Sequence, residues 1–246
     1  RLIEQEIIEK KGENYAKLIE MKDKYDRYCM HLKRYKENNY NLNLPNIIMA
    51  AIENNNELFP KEDLENILKK AEKTNLIKLK IYLAHKLDNF AKCLDLYLKE
   101  FTGEEKIIMT FNFIYGELLK VKNDEKKYGK YKDDILSRVT QLSSLSIDEL
   151  INLTDNIFES NYSLMLNEIK IDSNKLKYLE EILYKYKEDE INPSDPITKE
   201  YTDILKLHID LLCQLKYFDQ ILPNLKKRYF YPIDYCLKKC TEFNKS

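Results

Sequence analysis

Residues 75–100 read NLIKLKIYLAHKLDNFAKCLDLYLKE, two apolar runs with a polar joint between them. Leu76, Leu79, Tyr82 and Leu83 recur at three- and four-residue intervals in the first half, and Cys93, Leu94, Tyr97 and Leu98 do so in the second. Residues spaced in this way share one face at 3.6 residues per turn, so each half predicts a helix with a single buried stripe. Asp88 and Asn89 supply the joint, since their short side chains hydrogen-bond the local backbone and favour a turn. The stretch is a helical hairpin: Asn75 to Leu87, a two-residue turn, then Phe90 to Glu100 running back.

The same alternation continues on both sides. Upstream, Pro60 opens a segment in which Leu64, Ile67 and Leu68 repeat at helical spacing, and Pro45 opens a short buried helix over Ile47 to Ile52; proline suits a first helical turn because its missing N–H has no partner there anyway. Residues 1 to 37 carry a helical stripe from Leu2 to Tyr35, broken at Gly12. Downstream, Gly103 restarts the chain into Ile107 to Val121, apolar on more than one side and so expected between neighbouring layers. Asn123 to Tyr131 reads as a charged connection and a helix follows from about Asp133. Ser146 with Glu149 three residues on is a capping box ahead of Leu150, Leu153, Ile157 and Phe158. Helices are expected over Leu164 to Ile171, Leu176 to Tyr186, Thr198 to Leu215, Tyr217 to Leu225 and, after Pro232, Ile233 to Phe243. Glu188 to Pro196, EDEINPSDP, is an exposed insertion. No β pattern of usable length occurs.

Composition supports this reading. Four Gly and six Pro in 246 residues leave little material for hairpin turns between strands. Absent Trp and a mean hydropathy of -0.58 indicate a thin, extended core. Short helix pairs, each with one stripe that the next pair covers, follow the logic of an all-α solenoid of stacked hairpins, with a compact bundle as second choice. The 41 basic and 42 acidic residues cancel to a net charge of -1, which gives neither the footprint of a nucleic-acid binder nor a polybasic membrane patch. No run is apolar enough to span a bilayer, and five scattered Cys suit reduced thiols in a cytoplasmic setting. The chain opens on Arg1, and both ends read as cut from something longer.

No residue set for catalysis, cofactor binding or metal ligation emerges. GxGxxG, P-loop, HExxH and GxSxG patterns are absent. Cys236 with Cys240, and Cys29 with His31, lack the further ligands of a zinc site nearby, so packing is the simpler role. His85 and His208 read as ordinary helix residues, and Glu180, Glu181 and Glu188 to Glu190 as solvated carboxylates. Tyr interleaved with Lys, at Tyr28 to Tyr35 and Lys127 to Lys132, could stack bases, yet a charged helix rim beside an amphipathic Tyr body is the commoner cause. Whether Phe101, Phe230 and Tyr231 are exposed anchors or core stays open.

The run LAHKLDNFAKCLDLYLKE, Leu83 to Glu100, resembles the clathrin-heavy-chain-type repeat of vesicle-trafficking proteins. His208 to Asn244, HIDLLCQLKYFDQILPNLKKRYFYPIDYCLKKCTEFN, is similar to a particular part of that superfamily: Leu211-Leu212-Cys213-Gln214, a short helix, an aromatic loop, then Cys236, Leu237 and Cys240 follow the pattern of the vacuolar protein sorting-associated protein 8 family. LSSLSIDELINLTDNIFESNYSLMLNEI and LKYLEEIL, between the two anchors, keep the same order and spacing. The resemblance covers roughly Asn75 to Asn244, which makes 75–246 the solenoid and leaves 1–74 as an unmatched N-terminal helical part of it; the insertion at 188–196 departs from the pattern. It implies a non-catalytic scaffold segment of an endosomal vesicle-tethering subunit of CORVET type, in protein transport to the endosome or vacuole. Implied partners are other subunits of the tethering complex and an early-endosomal Rab GTPase, without cofactors or nucleic acid, on the cytoplasmic face of endosomal or vacuolar membranes. The alternatives are a clathrin-like or HOPS-type scaffold and an RNA-binding helical repeat.

Overall fold

The structure, a computed structural model, describes residues 44–55, 59–185, 199–227 and 230–243. Among them are thirteen helices and no strand. The stripe over residues 1 to 37, the Cys29 and His31 pair, the Tyr28 to Tyr35 cluster and the insertion at Glu188 to Pro196 lie outside the described residues. The chain divides into two compact units, the boundary in sequence falling between Thr102 and Gly103, so position 74/75 falls inside the first.

Unit 1 holds α1 (Leu44–Asn54), α2 (Lys61–Ala71), α3 (Ile77–Lys86) and α4 (Phe90–Glu100). The predicted hairpin is α3 and α4. Its turn is closed by the backbone: Asn89 N–H reaches Ala84 carbonyl at 3.0 Å around Asp88, which takes a left-handed φ of 53°, and the Asn89 side chain then caps α4 by accepting from Lys92 N–H at 3.0 Å. This six-to-one closure normally uses glycine. With four Gly in the chain, Asp88 and, at the end of a later helix, Lys216 (φ 61°) hold the same conformation instead. Leu79, Leu83, Cys93 and Leu94 are buried between the two helices, α2 packs on α3, and α1 packs on α3 from its own side. Ile48 and Ile52 anchor α1 while Ile47 points outward, so that helix is buried along one stripe only.

Unit 2 holds α5 (Gly103–Lys120), α6 (Glu125–Leu136), α7 (Val139–Leu145), α8 (Ile147–Ile157), α9 (Tyr162–Glu168), α10 (Asp172–Lys185), α11 (Lys199–Gln214), α12 (Phe218–Lys227) and α13 (Ile233–Phe243). Two expectations are corrected here. Residues 123–131 are not a connection, because Asp124 caps a new helix by accepting from Lys127 N–H at 3.0 Å, and α6 runs to Leu136 despite Gly129 in its interior. A good cap outweighs the roughly 1 kcal/mol that an internal glycine costs. In α5 the buried residues are Thr110, Phe111, Ile114 and Leu118, whereas Ile108 and Leu119 are exposed, so this helix is not covered on every side.

The Ser146 cap forms as expected, its hydroxyl accepting from Glu149 N–H at 3.2 Å. The Ser146 N–H is already spent on Leu142 carbonyl at 3.0 Å, which removes the need for the reciprocal half of a capping box. Thr140 on α7 fastens the following turn: it donates to Glu168 carbonyl at 2.8 Å and accepts from Lys170 N–H at 3.0 Å. Packing then passes along the chain from α8 to α10, α10 to α11 and α11 to α13, each helix covering the stripe of one close in sequence.

A buried hydroxyl pair joins α8 to α10. Thr154 Oγ1 lies 2.7 Å from Leu150 carbonyl and 2.7 Å from the Tyr178 hydroxyl. A threonine has one proton to give, and a carbonyl can only accept, so Thr154 donates to Leu150 and Tyr178 donates to Thr154. Burial pushes the Tyr178 phenol well above its usual range. The donor order makes the two deletions unequal. Thr154→Val strands a buried O–H donor and is expected to cost about 2 kcal/mol, whereas Tyr178→Phe strands one acceptor lone pair and is expected to cost about 1 kcal/mol. Urea unfolding of both variants checks the order, and a larger loss for Tyr178→Phe would reverse the assignment.

Candidate functional site

Beside the Thr154 and Tyr178 pair, polar side chains gather around His208, around Asp155 and around the thiols where α11 packs on α13; only the last includes residues, Cys236 and Cys240, that the sequence offers as a pair. The first is on α11. His208 is 1% exposed, an extreme value for a residue that the sequence leaves as an ordinary helix position. Its Nδ1 meets the Tyr231 hydroxyl, which comes from the turn before α13, and its Nε2 has no hydrogen-bond partner and lies 3.6 Å from Glu180 Oε1 on α10. The carboxylate beside Nε2 favours the tautomer with the proton there, which leaves Nδ1 to accept from Tyr231. One imidazole thus ties the aromatic turn to α11 and faces α10. Tyr231 is core, while Phe230 is half-buried and Phe101 stacks on Tyr97 with ring centroids 5.5 Å apart. With both ring nitrogens turned toward protein groups, this histidine is a brace between elements; proton transfer to a bound molecule requires a nitrogen that the molecule can reach.

The second constellation centres on Asp155 at the end of α8. Two successive residues, Glu159 and Ser160, take left-handed φ values of 55° and 56°, which curls the chain back over the helix end. Asp155 then accepts from Tyr162 hydroxyl at 2.5 Å, from Ser160 Oγ at 3.2 Å and from Lys185 Nζ on α10. Burial alone would push this carboxyl up, but the bonds from Lys185, Tyr162 and Ser160 and the lysine charge outweigh it and hold the carboxyl below its ordinary value of 3.8. A carboxyl lowered by folding stabilises the fold fully above the unfolded value, and that contribution is lost as pH falls through the lower, folded value. The wild type is therefore expected to lose stability below about pH 4 more steeply than Asp155→Asn, as read by urea midpoints at several acid pH values. Parallel acid limbs would show that the knot contributes nothing through ionisation.

Third, the thiols of Cys213, Cys236 and Cys240 lie where α11 packs on α13. Burial pushes the Cys236 thiol up to about 11, with Cys240 and Cys213 adding to it, and Cys213 is raised for the same reason. High thiol values suit packing, since the thiolate is the reactive and metal-binding form. Among the described residues no group of three or more His, Cys, Asp or Glu is placed to hold a metal ion. Beside this interface the Tyr235 hydroxyl donates to Asp210 Oδ2 at 2.7 Å, and Lys239 approaches the same carboxylate at 3.4 Å while lying over the Tyr235 ring.

A groove of about 450 Å³ runs between α9 and α11, floored by Leu166, Ile204 and Leu207 with Asn167, Lys199 and Asp203 on its rim. Asp203 is 3.5 Å from Lys206, an exposed ion pair on its own helix. The basic and aromatic run at Lys127 to Lys132 is partly used internally, the Lys132 ammonium lying 5.2 Å from the Tyr128 ring centroid and 5.1 Å from that of Phe158. Cation–π contacts of this kind occupy the faces on which bases would stack. No described helix is long and apolar enough to cross a membrane.

His208 and Asp155 were both missed as network centres by sequence reasoning. Tyr231, Glu180 and Lys185 lie 23 to 30 residues from the side chains they meet, and no local spacing signals such a meeting; Ser160 and Tyr162 are near Asp155 in sequence, but only the left-handed turn at Glu159 and Ser160 brings them onto it. No protein-family model matches the chain, and no curated protein or solved structure shows significant similarity to it.

Proposed function

We propose that this chain is a non-catalytic α-solenoid segment of a vesicle-tethering subunit of CORVET type, in the vacuolar protein sorting-associated protein 8 family, whose role is to space and position binding partners on endosomal membranes. The observation that carries it is the order of packing. In each unit the helix pairs that pack most closely are never more than three elements apart in the chain, as with α2 and α3, α3 and α4, α10 and α11, and α11 and α13. Packing confined to near neighbours is what a repeat architecture requires, where each hairpin leaves a face for another to cover. The sequence anchors at Leu83 to Glu100 and His208 to Asn244 add the family to that architecture. The polar networks are consistent with the same reading, because each of them joins elements one or two places apart in the chain.

Affinity capture of the tagged protein from its own cells tests the proposal. Other subunits of a tethering complex together with an early-endosomal Rab GTPase are the expected co-purifying proteins. Recovery of clathrin light chains or of HOPS-specific subunits instead would move the chain to a sister scaffold. RNA recovered at physiological salt, with no trafficking protein, would overturn the assignment.

A further inference from the structure

We draw no further inference here: the strongest candidate, the exposed apolar surface of α12 and α13 formed by Phe218, Leu222, Ile233 and Leu237, carries nothing because nothing in the structure shows what covers it.

Discussion

Leu83→Asp is expected to abolish the cooperative folding of unit 1, and Leu237→Asp to leave the melting curve unchanged. Leu83 is fully buried on α3, facing α4. The substitution forfeits about 2 kcal/mol of apolar burial and places a carboxylate in an apolar seam, where the one buried ammonium on the same helix, Lys80, is already paired with Glu100; this costs several kcal/mol more. A domain has about 5–15 kcal/mol of net stability to lose. The helix cannot escape by turning, since a rotation that exposes residue 83 also exposes Leu76 and Leu79 on the same stripe. Leu237 is a leucine on a helix too, but it is 61% exposed, and surface substitutions stay within about 0.5 kcal/mol. Thermal unfolding by circular dichroism, with limited proteolysis to locate the loss, separates the two. A Leu83→Asp chain that resists cleavage between Lys61 and Lys99 as well as the wild type would refute the packing of α3 on α4.

The contrast also marks how far sequence reasoning reaches. Leu79, Leu83 and Leu94 were legible because periodicity alone places them inward, and the Asp88-Asn89 turn was legible because its chemistry is local. Asn123 to Tyr131 was misread for a related reason: its charges and Gly129 suggest a connection, while the Asp124 cap that starts the helix is a single side chain. Leu237 illustrates the opposite failure. It repeats correctly with Ile233, yet both are exposed, since periodicity reports a stripe and is silent about whether anything lies against it. His208 and Asp155 were illegible as network centres for a deeper reason. Their environments are made by residues from other helices and from turns, brought together by packing that the local pattern does not encode.

Lys80 shows this most sharply and leads to the second large effect. It sits between Leu79 and Ile81 on α3, outside the apolar positions that the sequence marks, and is buried, its side chain 4% exposed and its Nζ 2.5 Å from Glu100 Oε1 at the end of α4. A glutamate in the last turn of a helix opposes the helix dipole, so its position there is explained by the ammonium that it receives. The two halves of the pair differ in their access to water, the Glu100 side chain being 19% exposed. Glu100→Ala leaves a buried ammonium without its carboxylate and is expected to cost about 3 kcal/mol, within the range for breaking a buried pair. Lys80→Met leaves a carboxylate that can turn to solvent and is expected to cost about 1–2 kcal/mol, part of it returned by the apolar side chain. The double variant is expected to be more stable than Glu100→Ala alone, because removing both charges removes the stranded one. Urea unfolding of the four chains gives the coupling directly, with about 1–3 kcal/mol expected. If the single losses simply add, the ion pair is only a contact. If the coupling appears, α3 and α4 are held in register by one charge pair at the open end of the hairpin, opposite the Asp88-Asn89 turn, and a sequence that conserves only the apolar stripe would form the two helices without fixing their alignment.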